Sequence, residues 1–165
     1  MAIEWSNKKG FDATWDNLLA SVDPSAVEFM VKIGETAVRF AREHGSYQDQ
    51  TGNLRHSIGF IVVQEGKVVH EWYDQGWQEA MTATKAHLLS LVSNYPHDTV
   101  LLWGSGMVYA SYVENGHTSP NGGYVQPRDV IAGSGADIES RASELLRSFI
   151  SNLLKNEGAV ISRHS

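Results

Sequence analysis

The chain reads as an α+β protein: an antiparallel sheet of about four strands packed by a long N-terminal helix, an inserted middle helix and a C-terminal helix. Three observations carry that reading. Apolar residues recur at helical spacing over 24–44, 75–94 and 137–156. Two runs, His56–Val63 and Lys67–Tyr73, carry β-branched residues in both arms around Gln64-Glu65-Gly66, the pattern of a hairpin. Thr99–Trp103 (TVLLW) is a short apolar run closed by Gly104-Ser105-Gly106. Helical and hairpin stretches in this order place helices on an antiparallel sheet. A length of 165 residues fits one domain over 1–165.

Taken in order, residues 1–22 form a lead-in whose Phe11, Trp15, Leu18, Leu19 and Val22 permit a short helix. Asp23-Pro24 then supplies a helix start, an acceptor followed by proline at the first helical position, and Gly45 supplies the stop. Val27, Met30, Val31, Gly34, Val38 and Ala41 share one face of this helix. Ala26, Phe29, Ile33, Ala37 and Phe40 widen the apolar arc to roughly 200°, about twice what one sheet face requires. The excess calls for a second partner, either the N-terminal segment folded over it or a neighbouring subunit.

Residues 46–53 are turn-rich and lead into the hairpin. Trp77, Ala80, Met81, Thr84, Leu88, Leu91, Val92 and Tyr95 form one stripe of the middle helix, which Pro96 ends. Residues 107–118 fit a strand or a helical turn. Residues 115–135 hold five of the fifteen glycines and two of the four prolines, so they read as a long loop around one short strand at Tyr124–Gln126. In the last helix Ile138, Ala142, Leu145, Leu146, Phe149, Ile150, Leu153 and Leu154 cover half the wheel, Gly158 caps it and 159–165 form a frayed tail.

Composition narrows the chemistry. Without cysteine there is no disulfide framework, thiol nucleophile or thiolate metal site. A net charge of −6 opposes a phosphate-gripping surface, so direct nucleic-acid binding is not expected. No apolar run is long enough to span a bilayer, and MAIEWSNKKG lacks the apolar core of a signal peptide. The seven histidines show no paired spacing on one helix. Glu114 and His117 are three apart, but beside Gly116 in a loop. There is no nucleophile-elbow serine and no phosphate loop, and Gly104-Ser105-Gly106 lacks the third glycine of a dinucleotide fingerprint at position 109. The unusual residues are instead wide apolar helices, aromatic-rich strands and a glycine-rich loop, which are materials for protein–protein contact.

Two segments carry a more specific signal: Thr51-Gly52-x-Leu54-Arg55-x-Ser57-Ile58 after the first long helix, and Tyr109-Ala110-x-x-Val113-Glu114-x-Gly116 before the loop and final helix. With Gly10-Phe11-Asp12 upstream and Pro127-Arg128-Asp129 downstream, their order resembles the minor tail, or tail-completion, family of long-tailed bacteriophages and prophages, over most of 10–156. Here His117 stands where that family has threonine, and the helix at 75–94 looks like an insertion. The resemblance implies a non-enzymatic virion component of the neck or tail, made in the bacterial host cytoplasm, without cofactor, and often assembled as a ring with other tail or neck proteins. It directs attention to Arg55, Tyr109, Glu114, Gly116 and Arg128, beside Phe29, Ile33 and Phe40 of the wide arc, as interaction residues. Arg55 and Glu114 are expected to pair and tie the hairpin to the loop base. A small protein- or peptide-binding adaptor is the alternative, and a hydrolase or metal enzyme built on the His/Glu set at 114–117 is a third reading.

Overall fold

The computed structural model describes residues 8–47 and 52–161, with side chains described over 24–47 and 52–155. Helix α1 (Lys8–His44) leads through a short α2 (Asn53–His56) into β1 (Ile58–Gln64) and β2 (Lys67–Trp72). Then follow α3 (Gln78–Leu91) with a 3₁₀ turn at Val92–Asn94, β3 (Thr99–Ser105), α4 (Ala110–Asn115), β4 (His117–Thr118), β5 (Tyr124–Val125) and α5 (Ala132–Ile161). The fold is α+β, with N-terminal, middle and C-terminal helices on a small antiparallel sheet. That sheet has three strands in the order β2-β1-β3, and β4 and β5 pair as a separate ribbon.

Strand β1 is buried along almost its whole length because both of its faces are covered. Ile58, Phe60 and Val62 pack with Val38 and Ala41 of α1, while Ile61 and Val63 pack with Leu88 of α3 and Tyr73. The result is a helix–sheet–helix sandwich in which a continuous apolar strand is the natural centre. Two glycines set the spacing of the layers. A Cβ on Gly34 would lie 2.5 Å from the Phe60 ring, and one on Gly106 would lie 2.1 Å from the Ala83 carbonyl oxygen. Close to that second contact, buried Thr84 accepts a hydrogen bond from the Gly106 N–H at 2.9 Å and donates to the Ser57 carbonyl. Ser57 Oγ in turn lies 2.5 Å from Ser105 Oγ, so the start of β1 and the end of β3 are tied together beside α3.

The hairpin forms as its sequence predicts. Glu65 and Gly66 both take positive φ (49° and 72°), the conformation a two-residue loop needs to match the strand twist. The β1–β2 register then shifts between Val62 and Val63, which leaves Val69 without a β1 partner and 45% exposed. The β1–β3 register runs unbroken over seven residue pairs.

Several boundaries differ from expectation. Helix α1 does not start at Asp23-Pro24; it begins at Lys8 and carries Pro24 in its interior. The lead-in and first helix are therefore one element, because the helical spacing from Phe11 continues across the proline. Residues 53–56 make a helical turn, so Leu54 and Ile58 are not successive same-face positions of one strand. Helix α5 begins at Ala132 rather than near Asp137 and continues past Gly158 to Ile161. The 115–135 loop is accordingly shorter than read, with α4 ending at Asn115 and the β4–β5 ribbon occupying its middle. Of the expected frayed tail, 159–161 are helical and 162–165 lie outside the described residues.

Candidate functional site

The wide apolar arc of α1 has a second partner, and it is neither of the two expected. Gly34, Ala37, Val38 and Ala41 are buried, with Val38 and Ala41 in the core beneath the sheet. Phe29 stacks on Phe149 of α5 with ring centroids 4.6 Å apart and planes 22° from parallel. Ile33 lines the same α1–α5 seam with Leu145 and Leu153. Helix α5 of the same chain thus covers this arc. Phe40, further along, stacks on His44 at 4.3 Å and is half-buried.

Covering α1 uses only one stripe of α5. Leu145, Phe149 and Leu153 face the seam, while Leu146, Ile150 and Leu154, four residues apart, stay exposed at 50%, 46% and 66%. Spacing of four puts those three on one face of the helix. Helical periodicity showed an apolar half-wheel here, but not its division into an inward and an outward stripe.

A second exposed apolar surface surrounds α4. Val108 is 82% exposed, and Tyr109, Tyr112 and Tyr124 are also exposed. Tyr112 meets the His117 ring edge-on at 5.8 Å. Gly116 shapes the turn out of α4: its φ is +72°, and a Cβ there would lie 2.7 Å from the Val125 carbonyl oxygen and 2.8 Å from the Tyr124 hydroxyl. Nearby, the Arg128 N–H donates to the Val113 carbonyl oxygen at 2.8 Å. Tyr109, Gly116 and Arg128 are therefore brought together around α4, whereas Phe29, Ile33 and Phe40 belong to α1.

Glu114 does not pair with Arg55. Its carboxylate accepts the backbone N–H groups of Val130, Ile131 and Ala132 at 2.8, 2.9 and 3.0 Å, and Asp129 Oδ1 accepts that of Gly133 at 2.8 Å. Those of Ile131, Ala132 and Gly133 are orphan donors at the start of α5, with Val130 just before it, and an acidic acceptor there also complements the helix dipole. The expected pair fails because three N–H donors in fixed directions hold the Glu114 carboxylate at the entry to α5. Arg55 instead donates to the Arg42 carbonyl and lies over the Tyr47 ring. With both oxygens so engaged, Glu114 is not poised as a metal ligand beside His117, and no group of three or more ligating side chains occurs among the described residues.

A polar cluster that the spacing did not reveal lies between α1, α2 and the loop after β2. Arg42 Nη2 and His56 Nδ1 approach the same oxygen of Asp74, at 2.8 and 2.6 Å, and also lie 2.9 Å from each other. A guanidinium only donates and a carboxylate only accepts, so a proton on Nδ1 satisfies Asp74, and Arg42 then donates to Asp74 rather than to the ring. Trp77 stacks on the His56 ring at 4.4 Å and covers Gly52, whose φ is +79°. Burial pushes the Asp74 carboxyl up, but the bonds from His56 and Gly76 and the Arg42 charge outweigh it, leaving the carboxyl below its ordinary range. A cleft of about 480 Å³ adjoins the cluster, lined by Arg39, Arg42, Arg55, Glu35, Glu43 and Trp72. Its three arginines and two glutamates cancel in part.

Comparison with protein-family models, with curated proteins and with solved structures returns no match to this chain. No helix among the described residues is long and apolar enough to cross a membrane.

Proposed function

We propose that the chain is a non-enzymatic structural component of a phage or prophage neck or tail that works by assembling with copies of itself and with other tail or neck proteins. One observation supports this best. Two exposed apolar surfaces are built by different elements: Leu146, Ile150 and Leu154 on α5, and Val108, Tyr109, Tyr112 and Tyr124 around α4 and β5. A head-to-tail ring needs two unlike patches on every subunit, and apolar patches rich in tyrosine suit interface cores. The likeness of the Thr51–Ile58 and Tyr109–Gly116 segments to the tail-completion family points the same way. The local roles of those segments fit a scaffold: Gly52 turns the chain under Trp77, and Glu114 fixes the start of the helix that carries one patch.

Light scattering across concentration tests the reading. The chain associates to a multiple of 18.2 kDa at micromolar concentration, and Ile150→Glu with Leu154→Glu lowers the mass without lowering the melting temperature. A wild-type chain that stays monomeric at every concentration, alone and with tail proteins, would overturn it.

A further inference from the structure

The two edges of the three-stranded sheet are built differently. Strand β2 carries Lys67 and Glu71 and a register break at Val69, devices that blunt an edge against further pairing. Strand β3 (TVLLWGS) carries no charge, no proline and no break, and β1 is its only neighbour in the sheet. Among the described residues its ladder bonds all run to β1, so its outward N–H and C=O groups have no strand partner.

A groove of about 210 Å³ lies against this strand, lined by Leu88, Leu91, Leu101, Leu102, Trp103 and Ile131, with His87 its one ionisable group. Leu102 packs with the α3-side core, and Leu101 and Trp103 pack with the α1-side core. Side chains from opposite faces of one strand can line a single groove only along the strand's edge. The groove therefore marks the open edge of β3, with apolar walls from both helix layers.

We propose that this edge pairs antiparallel with β3 of a second copy, joining two three-stranded sheets into one of six strands. The strand is its own complement. A two-fold axis at Leu102 sets Leu102 opposite Leu102, Leu101 opposite Trp103 and Val100 opposite Gly104. The residues that line the groove are then the ones that fill it from the partner, as apolar cross-strand pairs. Self-pairing of β2 is opposed by the register break at Val69, which interrupts that edge. The pairing uses neither the α5 stripe nor the α4 surface, so it does not rest on the head-to-tail reading and is compatible with it.

The absence of cysteine gives a direct test. Single-cysteine variants at 99–103 are oxidised in a background carrying Ile150→Glu and Leu154→Glu, which removes the helical stripe. Leu102→Cys is expected to give a disulfide-linked chain of twice the monomer mass, with the yield highest there and falling toward position 99. Hydrogen exchange on the unsubstituted chain gives a second readout that no folding defect can confuse: protection over 99–105 rises with concentration, and Leu101→Lys abolishes the rise. Flat cross-linking across the scan, together with concentration-independent exchange in β3, would overturn the proposal. A dimer that persists in the stripe variants, with no larger species in the wild type, would overturn the ring and leave the strand pairing intact.

Discussion

Glu114 shows what a single side chain does in this fold. Three consecutive N–H groups at the start of α5 converge on its carboxylate. Glu114→Ala is expected to destabilise the protein by about 1–2 kcal/mol, the usual scale for losing a cap, with Glu114→Gln in between. Thermal melts read the order directly. Wild-type stability in Glu114→Ala would show that the three bonds add nothing beyond what solvent supplies. At Gly106 the argument is steric. A methyl group there meets the Ala83 backbone, which cannot move without shifting α3, so Gly106→Ala should cost roughly 2 kcal/mol or more. Gly34→Ala presses on the Phe60 ring instead and tests the other layer by the same measurement.

Asp74 gives the pH prediction. Its carboxyl titrates lower in the folded chain than in the unfolded one, so the folded state binds fewer protons as acid is added. The stabilisation is fully present above the unfolded value of about 3.9 and is lost as pH falls through the folded value. The slope of melting temperature against pH below about pH 4 should therefore be shallower in Asp74→Asn than in the wild type. Equal slopes would mean that Arg42 and His56 do not favour the carboxylate.

Among the elements, periodicity was a good guide wherever no competing start or stop signal interrupted the pattern. The hairpin, Thr99–Trp103, the Tyr124 strand and the middle helix lie close to where their residues indicate, with His56 passing from the first arm into α2. Reading failed where two signals competed. Asp23-Pro24 has the form of a helix start, but the flanking helical spacing carries α1 through it. Gly158 has the form of a stop, and α5 passes it. The site was less legible than the fold. Tyr109, Gly116 and Arg128 meet around α4 as their segment order indicated, while the roles of Glu114 and Arg55 depend on directions in space that spacing does not encode. The Arg42–His56–Asp74 cluster joins positions 14 and 18 residues apart, a closeness that spacing along the chain does not encode.

At the scale of the whole molecule, α5 resolves the question raised by the α1 arc and raises it again one layer out. The chain shelters Phe29 and Ile33 with Phe149, Leu145 and Leu153, and in doing so presents Leu146, Ile150 and Leu154 outward. Scattered exposed apolar residues are ordinary on a monomer, but a stripe at helical spacing together with four exposed apolar residues around α4 and β5 is the footing of the assembly we propose.

Mixing two surface variants tests that footing most directly. One carries Ile150→Glu and Leu154→Glu on α5, the other Val108→Glu and Tyr112→Glu at α4. Each retains one half of a head-to-tail contact, so neither rebuilds the wild-type assembly alone, yet an equimolar mixture sediments faster than either variant at the same total concentration. A mixture that sediments as the average of its parts, or either variant alone matching the wild type, would contradict assembly through these two surfaces.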